Sequence, residues 1–223
     1  MTITFAEETI PRRSGPLDDV AWPDKITAHV VAPGHRPRVH GYDVEGDLAR
    51  HYSFTDTVLL ALTGELPSEA QSSAFEVAMQ FLSPSPVNEA PAHAAVIVRI
   101  CNVLTSAIVG TAAITLGEQA RATVEGEQAT RPVSPEERAS VERLRDVLRS
   151  RGVLVPTIEY DLGRTAALIA TLRFAGLERA EQIEAAIVLA RLPAAVSEAF
   201  ATPTHSYRDY PADLPAVRYM EPS

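Results

Sequence analysis

Apolar and polar positions alternate with a helical period over most of the chain. From Leu48 onward, runs of apolar residues recur at three- and four-residue spacing and are bounded by cap and stop signals. Ser53 followed three residues later by Asp56 predicts a capping box, and Gly64 ends that helix. Ser68 with Gln71 predicts a second box. After it Phe75, Met79 and Leu82 lie on one helical face. "SPSPVNEAP" then reads as a loop. One long apolar helix is expected from about Ala92 to Val124. "GEQATRPV" is the next loop. "SPEERASVERLRDVLRSRG" opens on Ser134, Pro135 and Glu137 and stops at Gly152. "TAALIATLRFAG" and "AEQIEAAIVLARLPAAVSEAFA" predict two further helices, parted by Gly176.

The ends of the chain have a different texture. Residues 1–40 are rich in Pro, Gly and Arg and read as an irregular arm. One short strand pair is expected there, around Ile26–Val31 and Arg38–Val39. "YPADLPAVRYMEPS" reads as an irregular tail. Residues 41–223 are therefore expected to form a single all-α domain. No internal repeat or low-complexity tract interrupts it.

Composition narrows the function classes. The chain has 223 residues, 46% of them hydrophobic, enough for a substantial core. Its formal charge of -9 argues against a nucleic-acid surface, which needs a basic face. The stretch "HAAVIVRICNVLTSAIVGTAAITLG" is apolar, but Arg99 and Asn102 interrupt it. A buried helix is expected there rather than a membrane span. Cys101 is the single cysteine, so neither an intramolecular disulfide nor a cysteine-built metal site is expected. It is read as an inert thiol buried on an apolar helix. His29, His35 and His40 lack partners at metal-ligand spacing, so no metal is expected. No phosphate loop or nucleotide fingerprint occurs. "MTITFAEETIPRRSGPLDD" lacks the apolar centre of a signal peptide, and a cytoplasmic location is expected.

The stretch "VHGYDVEGDLARHYSFTDTVLLALTGELPSEAQ" resembles the Gly-Tyr-Asp-Ile, Ser-Phe-Glu-Glu and Leu-Leu-Thr-Gly-Glu-Leu-Pro segments of the citrate synthase and citryl-CoA lyase family. "LRSRGVLVPTIEYD" is similar to that family's approach to its small domain. "AVRYMEP" is similar to its Arg-Tyr-Val-Gly-Pro ending. The resemblance runs from about Trp22 to the end. It implies the large helical domain of a citrate-synthase-like protein, with a CoA thioester as substrate where activity is kept and no resident cofactor. It also implies that most of the small domain is deleted near residues 157–165. In that family the small domain closes over the site and excludes water.

The family's reaction requires a carboxylate base, a histidine on the enol oxygen, and a second histidine and arginines on the oxo-acid. Carried over by motif, the histidine of His-Gly-Gly-Ala falls on Ala120, in "GEQARAT". The histidine of Pro-Gly-Phe-Gly-His falls on Tyr160. The aspartate of Asn-Val-Asp falls on Thr165 when counted back from Gly176 without a gap, and on Asp161 with one. The histidine of Asp-His-Gly falls on Glu89, and the arginine of Arg-Pro-Arg falls on Leu214. The resemblance therefore implies a retained scaffold with a degenerate site.

Two readings follow. In the first, the chain is a non-catalytic binding or partner subunit. It forms a homodimer, or a heterodimer with a citrate-synthase-like protein, because an apolar helix of this kind needs a second surface to cover it. In the second, it is a repurposed enzyme making or breaking a carbon–carbon bond in another acyl-CoA or oxo-acid within a specialised pathway. His93, Glu89, Tyr160 and Asp161 are then its candidate polar groups. Glu118 and Arg121 are expected only to pair on a helix surface.

Overall fold

The computed structural model describes residues 27–126, 132–158 and 162–204. Three two-residue strands, β1 (Val31–Ala32), β2 (Arg38–Val39) and β3 (Tyr42–Asp43), form an antiparallel sheet in the order β1–β2–β3. Val39 pairs with Val31 on one side and with Tyr42 on the other. A wide helical turn, Val44–Leu48, follows. Its first amides, Glu45 and Gly46, donate to the Asp43 carboxylate at 3.1 and 2.7 Å. The remainder is helical: α1 (Ala49–His51), α2 (Phe54–Thr63), α3 (Glu69–Leu82), α4 (Ala90–Ile100), α5 (Thr105–Glu125), α6 (Pro135–Ser150), α7 (Arg164–Phe174) and α8 (Ala180–Ala201).

The helix starts follow the cap chemistry. Ser53, Ser68 and Ser134 each form a reciprocal box with Asp56, Gln71 and Glu137. Each hydroxyl satisfies an amide that the first helical turn leaves without a partner. Asp56 also accepts from Ser72 and so ties α2 to α3. Partial burial works against its charge, but the hydrogen bonds from Ser72 and Ser53 outweigh it and hold the carboxyl below its ordinary range. At the end of α2, Gly64 adopts φ 88, and its N–H donates to the Leu60 carbonyl at 2.8 Å. Ser68→Ala is expected to cost about 1 kcal/mol, read by urea unfolding.

The expected single helix from Ala92 to Val124 is in fact two. Asn102 takes the left-handed conformation, φ 54, so the backbone leaves the helix after Ile100 and α5 begins at Thr105. Asparagine tolerates this geometry better than most residues. The break also corrects the expectation for Cys101. It lies in the turn rather than on a helix face, and it is exposed.

Two apolar cores result. The larger lies between α2, α3, α6, α7 and the first half of α8, and includes Leu59, Phe75, Leu144, Leu172 and Ile183. The second lies between α4, α5 and the last half of α8. It is built mostly of small residues, Ala92, Ala95, Ala112, Ala195 and Ala199, with Ile108 and Leu116. Alanines let helices approach closely. Arg99 Nε donates to the Thr202 carbonyl at 3.4 Å and links α4 to the end of α8. No helix among the described residues is long and apolar enough to cross a membrane.

Candidate functional site

A cavity of about 330 Å³ opens where the two cores meet. Helical spacing builds each wall. α5 contributes Gln119 and Thr123, four residues apart. α8 contributes Ile187 and Arg191, again four apart. α7 contributes Arg164, Thr165 and Leu168 from its first turns. The end of α3 and the following loop supply Phe81, Leu82, Pro84 and Pro86, and Glu89 completes the lining.

Glu89 stands at the N-terminus of α4, yet its carboxylate does not cap that helix. It reaches instead across the cavity wall. Gln119 Nε2 donates to Glu89 Oε2 at 2.8 Å, and Arg191 forms an ion pair with the same oxygen. Arg191 Nη1 also donates to Gln119 Oε1 at 2.8 Å, and its Nε donates to the Pro84 carbonyl at 3.3 Å. The three side chains form a closed ring of hydrogen bonds that joins α4, α5 and α8. The Arg191 side chain is 12% exposed and that of Glu89 is 33% exposed. Partial burial disfavours the Glu89 charge. The bonds from Gln119 and Arg191 and the arginine charge overcome this, and the carboxyl titrates below its ordinary value of 4.5.

Among the described residues, Arg164 is the other cation of the cavity. Its Nη2 donates to the Phe81 carbonyl at 2.6 Å. Among the described residues it makes no ion pair. Partners of this kind explain how α7 is held against the end of α3.

The structure brings two of the sequence-derived positions, Glu89 and Thr165, into one cavity. Ala120 is fully buried in the larger core, and the preceding residue, Gln119, faces the cavity. His93 lies one turn after Glu89 on α4, exposed and outside the lining. Its backbone N–H donates to the Glu89 carbonyl at 3.0 Å as an ordinary helical bond. Tyr160, Asp161 and Leu214 lie outside the described residues, as does Glu159. Glu118 and Arg121 pair at 2.6 Å on an exposed face, as their spacing predicts. His29 and His40 line a separate surface depression beside β1. Among the described residues, no group of three or more His, Cys, Asp or Glu side chains is placed to hold a metal ion. Sequence reasoning missed Gln119, Arg164 and Arg191. The available signal was the isolated arginine in the apolar run "AAIVLARLPAAV".

No family model and no curated protein matches the chain in sequence. Solved structures do match it in fold. Citryl-CoA lyase from Hydrogenobacter thermophilus superposes with a TM-score of 0.61 at 15% identity, over 88% of this chain and 97% of that one. ATP citrate lyase from Methanosaeta concilii, solved with (3S)-citryl-CoA, superposes with a TM-score of 0.60 at 14% identity. ATP citrate lyase from Methanothrix soehngenii, solved with citrate and coenzyme A, gives 0.56 at 12%. The chain is covered fully in both cases and spans about half the length of those enzymes, 47%. The all-α, citrate-synthase-like fold implied by the sequence motifs is therefore the fold that this chain adopts, shared with citryl-CoA lyase and ATP citrate lyase.

Proposed function

We propose that the chain is a citrate-synthase-like binding protein without citrate synthase activity, working as a dimeric or partner subunit in the cytoplasm. The observation that carries this reading is the state of Glu89. Among the described residues it is the one carboxylate in the cavity lining, and it is ion-paired to Arg191 and hydrogen-bonded to Gln119. A carboxyl held below its ordinary range is a weak base at neutral pH. Ala120 has no polar atom to offer an enol oxygen, and a threonine hydroxyl at position 165 does not abstract a proton from a thioester methyl. Arg191, being neutralised by Glu89, is a poor holder of an oxo-dicarboxylate.

Purified protein is expected to form no citrate from acetyl-CoA and oxaloacetate and to leave citryl-CoA intact. Turnover at ordinary enzyme rates, on the order of 1–1000 per second, would overturn the reading. A second reading, a repurposed enzyme acting on another acyl-CoA or oxo-acid, is favoured by one observation: the cavity is open and keeps Glu89 and Thr165 on its wall. Conversion of such a thioester, followed by product analysis, would establish it.

The assembly follows from exposed apolar side chains on the second core's helices. Ile114 is 72% exposed, and Leu104, which caps the same helix, is 79% exposed; Ile97 and Phe200 are also exposed. Burial between two subunits would remove these surfaces from water. Light scattering is expected to give a dimer or larger. The double variant Ile114→Glu, Leu104→Glu is expected to give a monomer, whereas a wild-type monomer at micromolar concentration would sink this part of the reading.

A further inference from the structure

We infer that the cavity binds a small monocarboxylate with an apolar chain, the carboxylate lying on Arg164 and the chain along Leu168, Leu172 and Ile187. This rests on the reading of the cavity as a binding site rather than a site of citrate chemistry. The volume of about 330 Å³ lies near the lower end of the range for small-molecule pockets. It suits a short chain, and the nucleotide half of a CoA ester would lie outside it.

Charge selects the head group. Among the described residues, three charged side chains line the cavity: Glu89, Arg164 and Arg191. Glu89 and Arg191 neutralise each other, with Gln119 closing the ring. Among the described residues, Arg164 makes one hydrogen bond, to the Phe81 carbonyl. A guanidinium has five N–H donors in a fork that matches a carboxylate, so most of its donors remain to be used. Gly163, the N-cap residue of α7, has no side chain with which to cap the helix, and the adjacent amides add favourable dipole. Arg164, exposed at the mouth of the cavity, is thus the lining cation that forms no ion pair among the described residues.

The same surroundings reject a second negative charge. The remaining lining is apolar apart from Thr165 and Thr123, and the Thr123 hydroxyl donates to the Gln119 carbonyl at 2.7 Å. A second carboxylate would meet either leucine and isoleucine side chains or the Glu89 charge. Burying an unpaired carboxylate is strongly unfavourable. A neutral chain of the same length would fill the apolar part and leave Arg164 unused.

Protein-observed NMR titration of the full chain with hexanoate, adipate and 1-hexanol tests this. Hexanoate is expected to bind about tenfold more tightly than the other two, the difference being one charge-assisted contact. R164Q is expected to bring hexanoate down to the level of 1-hexanol. Thr165→Phe, which occupies the cavity from an exposed position, is expected to weaken both. Adipate binding as tightly as hexanoate, hexanoate binding indifferent to R164Q, or no shifts at millimolar hexanoate would each overturn the inference. Citrate turnover together with Arg164-dependent hexanoate binding would instead overturn the functional reading alone.

Discussion

Replacing Arg191 by leucine is expected to destabilise the protein by about 2 kcal/mol, measured by urea unfolding. The wild-type side chain donates to Glu89, to Gln119 and to the Pro84 carbonyl, and it is almost buried. Leucine fills similar space but leaves the Glu89 carboxylate without its cation. The loss stays near the low end for a buried pair because Glu89 is a third exposed and can turn partly to water. Combining Arg191→Leu with Glu89→Gln is expected to cost less than the sum of the single changes, since the two residues share one interaction. The pH dependence supplies an independent check. The folded carboxyl titrates below the ordinary value of 4.5, so its contribution is fully present above 4.5 and is lost as pH falls through the lower folded value. The Arg191→Leu variant should therefore lose less stability than the wild type on acidification through that range. An equal loss in both proteins would show that the ring carries no such linkage.

Phe75→Ala is expected to have the largest effect on stability, about 3–5 kcal/mol. Phe75 is fully buried on α3, in the core shared with α2, α6, α7 and α8. Removing its ring leaves a void that helices pinned by caps and ion pairs cannot fully close. Some of those pins lie at the surface around the core: Arg151 pairs with Glu76 beside Phe75, and Arg164 holds the end of α3. The measurement is a shift of the urea midpoint at unchanged slope. A loss under 1 kcal/mol would mean that α3 can move into the space.

The chain declared its local grammar more openly than its tertiary chemistry. The three serine boxes and the Gly64 stop were legible because each is settled within four residues. The order of those elements, with the Gly-Tyr-Asp and Gly-Glu-Leu-Pro segments, carried the fold. The turn at Asn102 was not legible. Apolar residues at helical spacing continue on both sides of it, Asn102 interrupts the run no more than Arg99 does within α4, and a single residue in a left-handed conformation leaves little trace in hydrophobicity. Reading through that turn also placed Cys101 inside the protein, whereas it is exposed. The cavity was half legible. Glu89 and Thr165 were singled out by motif matching. Gln119 was passed over for its neighbour Ala120, which points a third of a turn away into the core. Arg164 and Arg191 reach the cavity only because α7 and α8 fold back onto α3 and α5, a relation that no local pattern encodes.

Pro193 lies inside α8 where that helix passes from the larger core, which takes Ile183 and Ile187, to the second, which takes Ala195 and Ala199. Proline has no N–H, so the Leu189 carbonyl lacks its helical partner there. The two halves of α8 are thus joined by a weakened rung, and each is anchored in a different packing unit. Amide hydrogen exchange in the last two turns should then report a partial opening separate from global unfolding, with protection lower than around Ile183. The molecule would behave as two cooperative units that share one helix.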